Sequence, residues 1–408
     1  MLKTEIIPGL FKTEFSKICS VLCKYLGIQH IDSAEDIASE TFLSALESWP
    51  YKGIPENPKA WLYTVAKNKA SNFRTRQNLF NSKIAGELTA TIRNEQQMEP
   101  DLSETNIADS QLQMLFAVCD PGISFESQIG LALRILCGFG IDQIANAFLT
   151  NRETINKRLF RAREKLRSNN LEIRFPAEKE LPNRLEPVLK TLYLLFNEGY
   201  YSETSNLIIR EDLALEAMRL TQLLIENKNT NHPTVKALLA MMCFHSSRFA
   251  ARTSNTGQVV LYSDQDEGQW NYELISRGVY WLHQASGGES YSIYHIEAAI
   301  AFWHTNKSDS KEKWENILQL YNRLLQVEYS PIAALNRTYA LYKTKGKAIA
   351  IEEATKLGLE GNRFYHALLG ELYTGIDNPV AREQFQKAIN LTITFAERES
   401  LERKLEQI

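Results

Sequence analysis

The sequence predicts an all-α protein, and three observations carry that prediction. Apolar residues recur at helical spacing along most of the chain. Alternating β-branched runs are nearly absent, Gln258–Tyr262 being the one short strand candidate. Residues suited to capping stand where the periodic segments begin. The 408 residues are 44% hydrophobic and 23% charged, an ordinary globular composition with enough length for more than one domain. No apolar run approaches the ~18 residues of a membrane span. The opening Met1-Leu2-Lys3-Thr4-Glu5 lacks the apolar core of a signal peptide. Cysteines at 19, 23, 119, 137 and 243 are scattered and odd in number, which points to reduced, packed thiols in the cytoplasm.

The first compact unit, 1–78, reads as a helical bundle. Ser33 followed by Asp36 resembles a capping box. Behind it Ala34, Ile37, Ala38, Phe42, Ala45, Leu46 and Trp49 form one apolar stripe, with Asp36, Glu40 and Glu47 on the other face. Trp49-Pro50 should end that helix. Asn57-Pro58 should start the next, Asn as N-cap and Pro at the first helical position. There Leu62, Val65, Ala66, Ala70 and Phe73 face inward. Trp61, Thr64, Asn68, Asn72 and Arg76 line a different face, flanked by Lys67, Lys69 and Arg74.

A polar, acidic linker is expected over 79–112. A second unit, 113–174, has a helix after Ser124 that ends near Gly138, then a short helix Asp142–Phe148. Thr150 and Glu153 form a T-x-x-E capping box. The helix it opens buries Ile155, Leu159, Ala162 and Leu166, and carries Arg152, Asn156, Lys157, Arg158, Arg161, Arg163, Lys165 and Arg167 on its other faces. A short helix, a tight turn and a capped basic helix make a helix-turn-helix pattern. The third unit, 183–408, is helical. A shift of 31 residues places Leu341-Tyr342 on Leu372-Tyr373 and Ala350 on Ala381, as stacked helix pairs of the tetratricopeptide kind would.

Enzyme constellations are missing. Gly346-Lys347 and Gly138-Phe139-Gly140 lack the rest of a phosphate loop or dinucleotide fingerprint, and neither H-E-x-x-H nor G-x-S-x-G occurs. His245, His295 and His304 sit in apolar helical contexts and read as core residues. No enzyme, cofactor or metal is expected. Net charge is −3, so no global basic field exists, but charge comes in blocks. Asn57–Gly86 holds basic residues and no acid, Glu87–Asp109 is acidic, and Arg152–Arg167 is strongly basic. A basic helix face can neutralise phosphates, and Arg, Lys and Asn at the start of a recognition helix can reach base edges. The first basic helix interleaves Trp61, Tyr63 and Phe73 with amides and cations, a mixture suited to unstacked single-stranded bases.

Two such readers on one chain resemble the extracytoplasmic-function branch of bacterial RNA polymerase sigma factors. Ala34-Glu35-Asp36-Ile37-Ala38-Ser39-Glu40-Thr41-Phe42 and Pro58-Lys59-Ala60-Trp61-Leu62-Tyr63-Thr64-Val65-Ala66-Lys67-Asn68-Lys69-Ala70 look like that family's region two. Ile144-Ala145 and Arg158-Leu159-Phe160-Arg161-Ala162-Arg163-Glu164-Lys165-Leu166 look like its region four. The rest resembles the tetratricopeptide-like extension of one subgroup, through Leu192–Tyr200, Asp264-Gln265-Asp266 with Trp270, and Ser330–Arg337. Glu267 stands where that subgroup usually has a basic residue.

The resemblance implies that Asp36 and Glu40 dock on the clamp helices of the largest subunit of core RNA polymerase. It implies that the downstream promoter element, once melted, places a flipped base at Asn68, with Asn72 one turn on and Arg74 and Arg76 holding phosphates. In region four it implies that Asn156, Lys157, Phe160 and Arg161 approach bases in duplex promoter DNA, with Arg152, Arg158 and Arg163 on phosphates. Asn156 replaces a residue that is often basic in relatives. The extension would regulate the sigma domains, by contact within the chain or with polymerase, and Asp264 and Asp266 are its candidate contact residues. Two other readings stand beside this one. One is a helix-turn-helix regulator that binds duplex DNA without polymerase and carries a helical effector domain. The other is a repeat scaffold whose basic helices are surface decoration.

Overall fold

The computed structural model describes residues 6–85, 99–148, 150–169, 171–200, 211–252, 260, 262–287, 291–392 and 395–408. Every regular element among them is a helix. The chain divides into two compact units, Met1–Leu194 and Leu195–Ile408. The strand candidate Gln258–Tyr262 lies mostly outside the described residues, and Tyr262 itself opens a short 3-10 turn.

Unit one begins with α1 (Ile6–Leu26), α2 (Ile31–Lys52) and α3 (Pro58–Ala85), which pack on one another. The core of the bundle holds Phe15, Ile18 and Leu22 from α1, Ala34, Phe42 and Ala45 from α2, and Leu62, Ala66 and Ala70 from α3. Three expectations are corrected here. Ser33 caps nothing, because a 3-10 turn over Ile28–His30 already starts α2 at Ile31. Pro50 does not end α2. It sits in the last turn, where its missing N–H costs one hydrogen bond, and the helix runs on to Gly53. Leu46 points outward, 53% exposed, while the rest of the stripe is buried. Asn57 caps α3 as expected, its Oδ1 accepting from the Ala60 N–H at 3.0 Å.

Of the stretch 79–112 expected as a linker, both ends are helical, and residues 86–98 lie outside the described residues. Helix α3 continues to Ala85, and α4 (Glu104–Val118) begins after Ser103, whose hydroxyl caps it. Helix α5 (Phe125–Leu131) continues through a π turn (Ala132–Leu136) to Gly138. Gly138 has φ 71°, and a Cβ there would stand 3.2 Å from the Phe15 ring, so this position needs glycine twice over. Helices α6 (Ile141–Ala147) and α7 (Arg152–Ser168) follow, packed on each other. The cap of α7 is Asn151, not Thr150: its side chain accepts from the Thr154 N–H at 2.8 Å. Ile155, Leu159, Ala162 and Leu166 are all buried. Helix α8 (Leu181–Tyr200) follows Pro176, and its residues up to Leu194 belong to unit one. Arg184 donates to the Phe116 carbonyl at 2.6 Å, and Thr191 donates to the Gln128 amide oxygen at 2.8 Å.

Unit two runs through α9 (Glu211–Glu226), α10 (Pro233–Ser246), α11 (Phe249–Arg252), α12 (Tyr272–Ala285), α13 (Ile293–Trp303), α14 (Lys311–Val327), α15 (Pro331–Lys345), α16 (Lys347–Lys356), α17 (Arg363–Tyr373), α18 (Asn378–Leu391) and α19 (Phe395–Glu406). From α12 onward each helix packs on its successor. The 31-residue shift lands helix on helix: Leu341 and Leu372 lie in α15 and α17, Ala350 and Ala381 in α16 and α18, all four buried.

Of the three histidines read as core residues, His295 is buried, and His245 and His304 are partly buried. His295 Nδ1 accepts from the Ser292 N–H, so its other nitrogen carries the proton donated to the Ala285 carbonyl. Burial pushes His304 down to about 3, helped by the Arg248 and Lys313 charges, and it lies edge-on to Tyr262 and Trp314. A folded-state value below the unfolded one means that stability present above pH 6.5 is lost as pH falls toward 3. Denaturant titrations should show a loss of about 2 kcal/mol from this group by pH 5. A His304→Gln variant should flatten that part of the slope. An unchanged slope would place the proton elsewhere. Burial likewise pushes the Cys119 and Cys243 thiols up to about 12, which keeps them unreactive.

Candidate nucleic-acid interface

With Leu62, Ala66 and Ala70 committed to the bundle, the helical repeat turns Thr64, Asn68, Asn72 and Arg76 to solvent as one stripe along α3. Its flanks are less open. Lys67 pairs with Glu99, Lys69 donates to Glu40 at 2.9 Å, and Lys59 lies 3.8 Å from Glu104. The Arg74 guanidinium stacks 4.9 Å from the centre of the Tyr25 ring. Trp61 is half-buried, edge-on to the buried Trp49 at 5.4 Å, and so contributes to packing. Tyr63 donates to Glu14 at 2.5 Å. Burial and that carboxylate hold its phenol protonated far above the ordinary range.

On α7 Arg152, Asn156, Lys157, Phe160 and Arg161 are exposed, as are Glu153, Thr154, Glu164, Lys165 and Ser168. Phe160 is 62% exposed, an unusual placement for an aromatic ring on a helix that buries four other apolar residues. Arg152 lies 3.8 Å from Asp142, and Lys157 donates to Glu153 at 2.6 Å. Arg158 folds back over the Phe148 ring at 5.2 Å. Arg163 departs from its expected place. Its guanidinium is turned inward, onto Glu35 at 2.5 Å and Asp32 at 3.3 Å, because α7 presents that edge to α2. Arg167 beside it also meets Asp32. Burial works against its charge, but the Asp32 and Glu164 carboxylates outweigh that and raise its pKa.

On α2, Asp36 and Glu40 are exposed one turn apart, as their spacing predicts. Sequence reasoning missed Leu43, 52% exposed, and misassigned Leu46 to the core. With Asp36, Glu40 and Glu47 they make an apolar patch ringed by acids. Spacing gives the signal for Leu43, since Asp36, Glu40, Leu43 and Glu47 follow one another at i, i+4, i+7 and i+11. In unit two, Asp264 and Asp266 are exposed. Asp266 Oδ1 accepts from the Gly268 N–H at 2.9 Å and caps the 3-10 turn Glu267–Gln269 that leads into the buried Trp270.

Residues 10–79 match the family model for Sigma-70 region 2. Over 385 residues the chain is 31% identical to "Uncharacterized protein R00370" of Rhizobium meliloti (strain 1021), covering 93% of this chain and 91% of that one. The chain belongs to the family of that protein. It is also 25% identical over 166 residues to RNA polymerase sigma factor YlaC of Bacillus subtilis (strain 168), which spans 40% of this chain and 92% of that protein. Residues 184–286 match a family of unknown function, DUF6596. No solved structure matches. The protein therefore carries a sigma-70 region 2 domain and resembles a sigma factor over part of its length. The region 2 match takes in the exposed patch of α2 and the open stripe of α3 up to Leu79. No helix among the described residues is long and apolar enough to cross a membrane.

Proposed function

We propose that this protein is a cytoplasmic sigma factor of the extracytoplasmic-function branch, which binds core RNA polymerase and directs initiation from particular promoters. The observation that carries the reading is the coincidence of the region 2 match with a helix, α3, whose outward stripe is made of a hydroxyl, two amides and a guanidinium. An exposed Asn can both donate to and accept from a base edge. Asn68 would hold a base of the melted downstream element, Asn72 its neighbour, and Arg74 and Arg76 the backbone phosphates.

Helix α7 would be the region-four reader of duplex DNA. Asn156, Lys157, Phe160 and Arg161 would face bases, and Arg152 and Arg158 phosphates. Asp36 and Glu40, with Leu43 and Leu46 between and beside them, would meet the clamp helices of the polymerase largest subunit. Unit two would be a tetratricopeptide-like extension that regulates initiation. Asp264 remains a candidate contact there, while the main task of Asp266 is the cap on Gly268.

Mapping transcript starts with purified core polymerase, with and without this protein, tests the reading directly. Starts that depend on the protein are expected; their absence across a whole genomic library would sink it. Asn68→Ala should lower promoter opening, read by permanganate reactivity, by about 10-fold while leaving polymerase binding intact. Unchanged opening would move the base pocket off α3.

A further inference from the structure

Three arginines from the α5–α7 half of unit one converge on two carboxylates of α2. Arg163 Nη2 donates to Glu35 Oε1 at 2.5 Å, and Arg134, in the π turn after α5, donates to Glu35 Oε2 at 2.8 Å. Arg163 Nε lies 3.3 Å from Asp32, and Arg167 completes the group on the same carboxylate. Glu35 is only 5% exposed, and the side chains of Arg163, Arg134 and Arg167 are 15, 21 and 21% exposed. A carboxylate this dry, with charged donors on both oxygens, belongs to an interface rather than to a solvated face. Phe15 of α1 also lies close to Gly138, and the Gln29 amide donates to the Arg167 carbonyl at 3.3 Å.

We propose that Asp32 and Glu35 form a latch that closes the α5–α7 module onto α1–α3 in the protein alone, and that α7 must release it to seat fully on duplex DNA. The proposal rests on the reading of α7 as a duplex reader. In the closed state the first half of α7 is open, with Arg152, Asn156, Lys157, Phe160 and Arg161 exposed. In its second half Lys165 stays exposed, but the Arg163 and Arg167 edge is occupied, neutralised by the chain's own acids. A phosphate backbone offers guanidinium groups the same charge and fork geometry as those carboxylates. DNA that meets the open half is therefore placed to compete for the closed half. Removing both acids leaves the Arg163 guanidinium desolvated with neither of its carboxylates, while Arg167 keeps only Glu164 and Arg134 only the Phe139 carbonyl, which favours opening.

Spin labels introduced as unnatural amino acids at Tyr51, 90% exposed, and at the exposed Lys157 report the separation of the two modules in the full chain. Pulsed dipolar spectroscopy should give one narrow distance for the wild-type protein. Asp32→Asn with Glu35→Gln should raise the population of longer distances about tenfold. Asp32→Lys should open the pair, and adding Arg167→Glu should close it again, a rescue that simple loss of structure cannot produce. If Asp32→Asn with Glu35→Gln fails to fold, by loss of helical circular dichroism, Arg134→Gln with Arg167→Gln probes the latch from the other side. Distributions that superimpose on the wild type in a folded variant overturn the latch. An opened variant that binds a duplex oligonucleotide no tighter than the wild type overturns its control of DNA access. The distance measurement contains no polymerase, so a failure of the sigma-factor reading shows separately, in the transcript starts.

Discussion

Replacing Leu43 and Leu46 together with glutamate is expected to weaken binding to core RNA polymerase by about 100-fold or more, with the unfolding midpoint unchanged. Each side chain is about half exposed, at 52 and 53%. Covering the exposed half of two leucines contributes roughly 2–3 kcal/mol at the usual value for a buried aliphatic side chain. Tenfold in affinity is about 1.4 kcal/mol. Two added carboxylates beside Asp36, Glu40 and Glu47 would also have to be desolvated against like charge. The folded state loses little, because surface changes away from special contacts stay within about 0.5 kcal/mol. By contrast, Asp36→Asn with Glu40→Gln should give a smaller loss that fades at high salt, as exposed charge pairs do. Titration of labelled protein against core polymerase at two salt concentrations reads both. Full affinity in the double glutamate variant would remove α2 from the polymerase contact.

The second large effect is structural. Gly278, in α12, faces Phe244 of α10 so closely that a Cβ would stand 2.5–2.9 Å from three atoms of its ring. Phe244 is fully buried, with Phe302 packed 5.7 Å away on another side, so the ring has little room to retreat. Gly278→Val should therefore cost about 3 kcal/mol or more, at the upper end of the range for an overpacked core. Thermal unfolding of the full chain measures it. Partial rescue is expected from Phe244→Leu in the same background, because the two substitutions share one space. A Gly278→Val protein as stable as the parent would mean that the α10–α12 contact is looser than its geometry.

The sequence carries the helices because their apolar residues repeat at a period set by local geometry. Ile155, Leu159, Ala162 and Leu166 could be read from spacing alone, and all four are buried. Caps were legible only to within a residue. Thr150 and Asn151 can both accept from a helix N–H, and only the path of the preceding turn selects Asn151. Leu46 was misplaced because α2 has more apolar residues than its neighbours can cover, and no local pattern says which one is left outside. The open stripe of α3 followed from knowing which face was buried. The inward turn of Arg163 was not legible at all: Glu35 lies 128 residues away, and nothing in the local sequence distinguishes Arg163 from the exposed Arg161. Spacing finds which residues share a face. It does not find which distant element that face will meet.

From α12 onward each helix leans on the one after it. A stack of that kind has no single keystone. Its last member, α19, packs on α18 and is tied to α17 by the Lys404–Glu371 and Arg363–Glu397 ion pairs at the surface, so wear should begin there. Limited digestion would then shorten the chain from its tail in steps of one helix or helix pair, giving a ladder of fragments instead of one abrupt collapse.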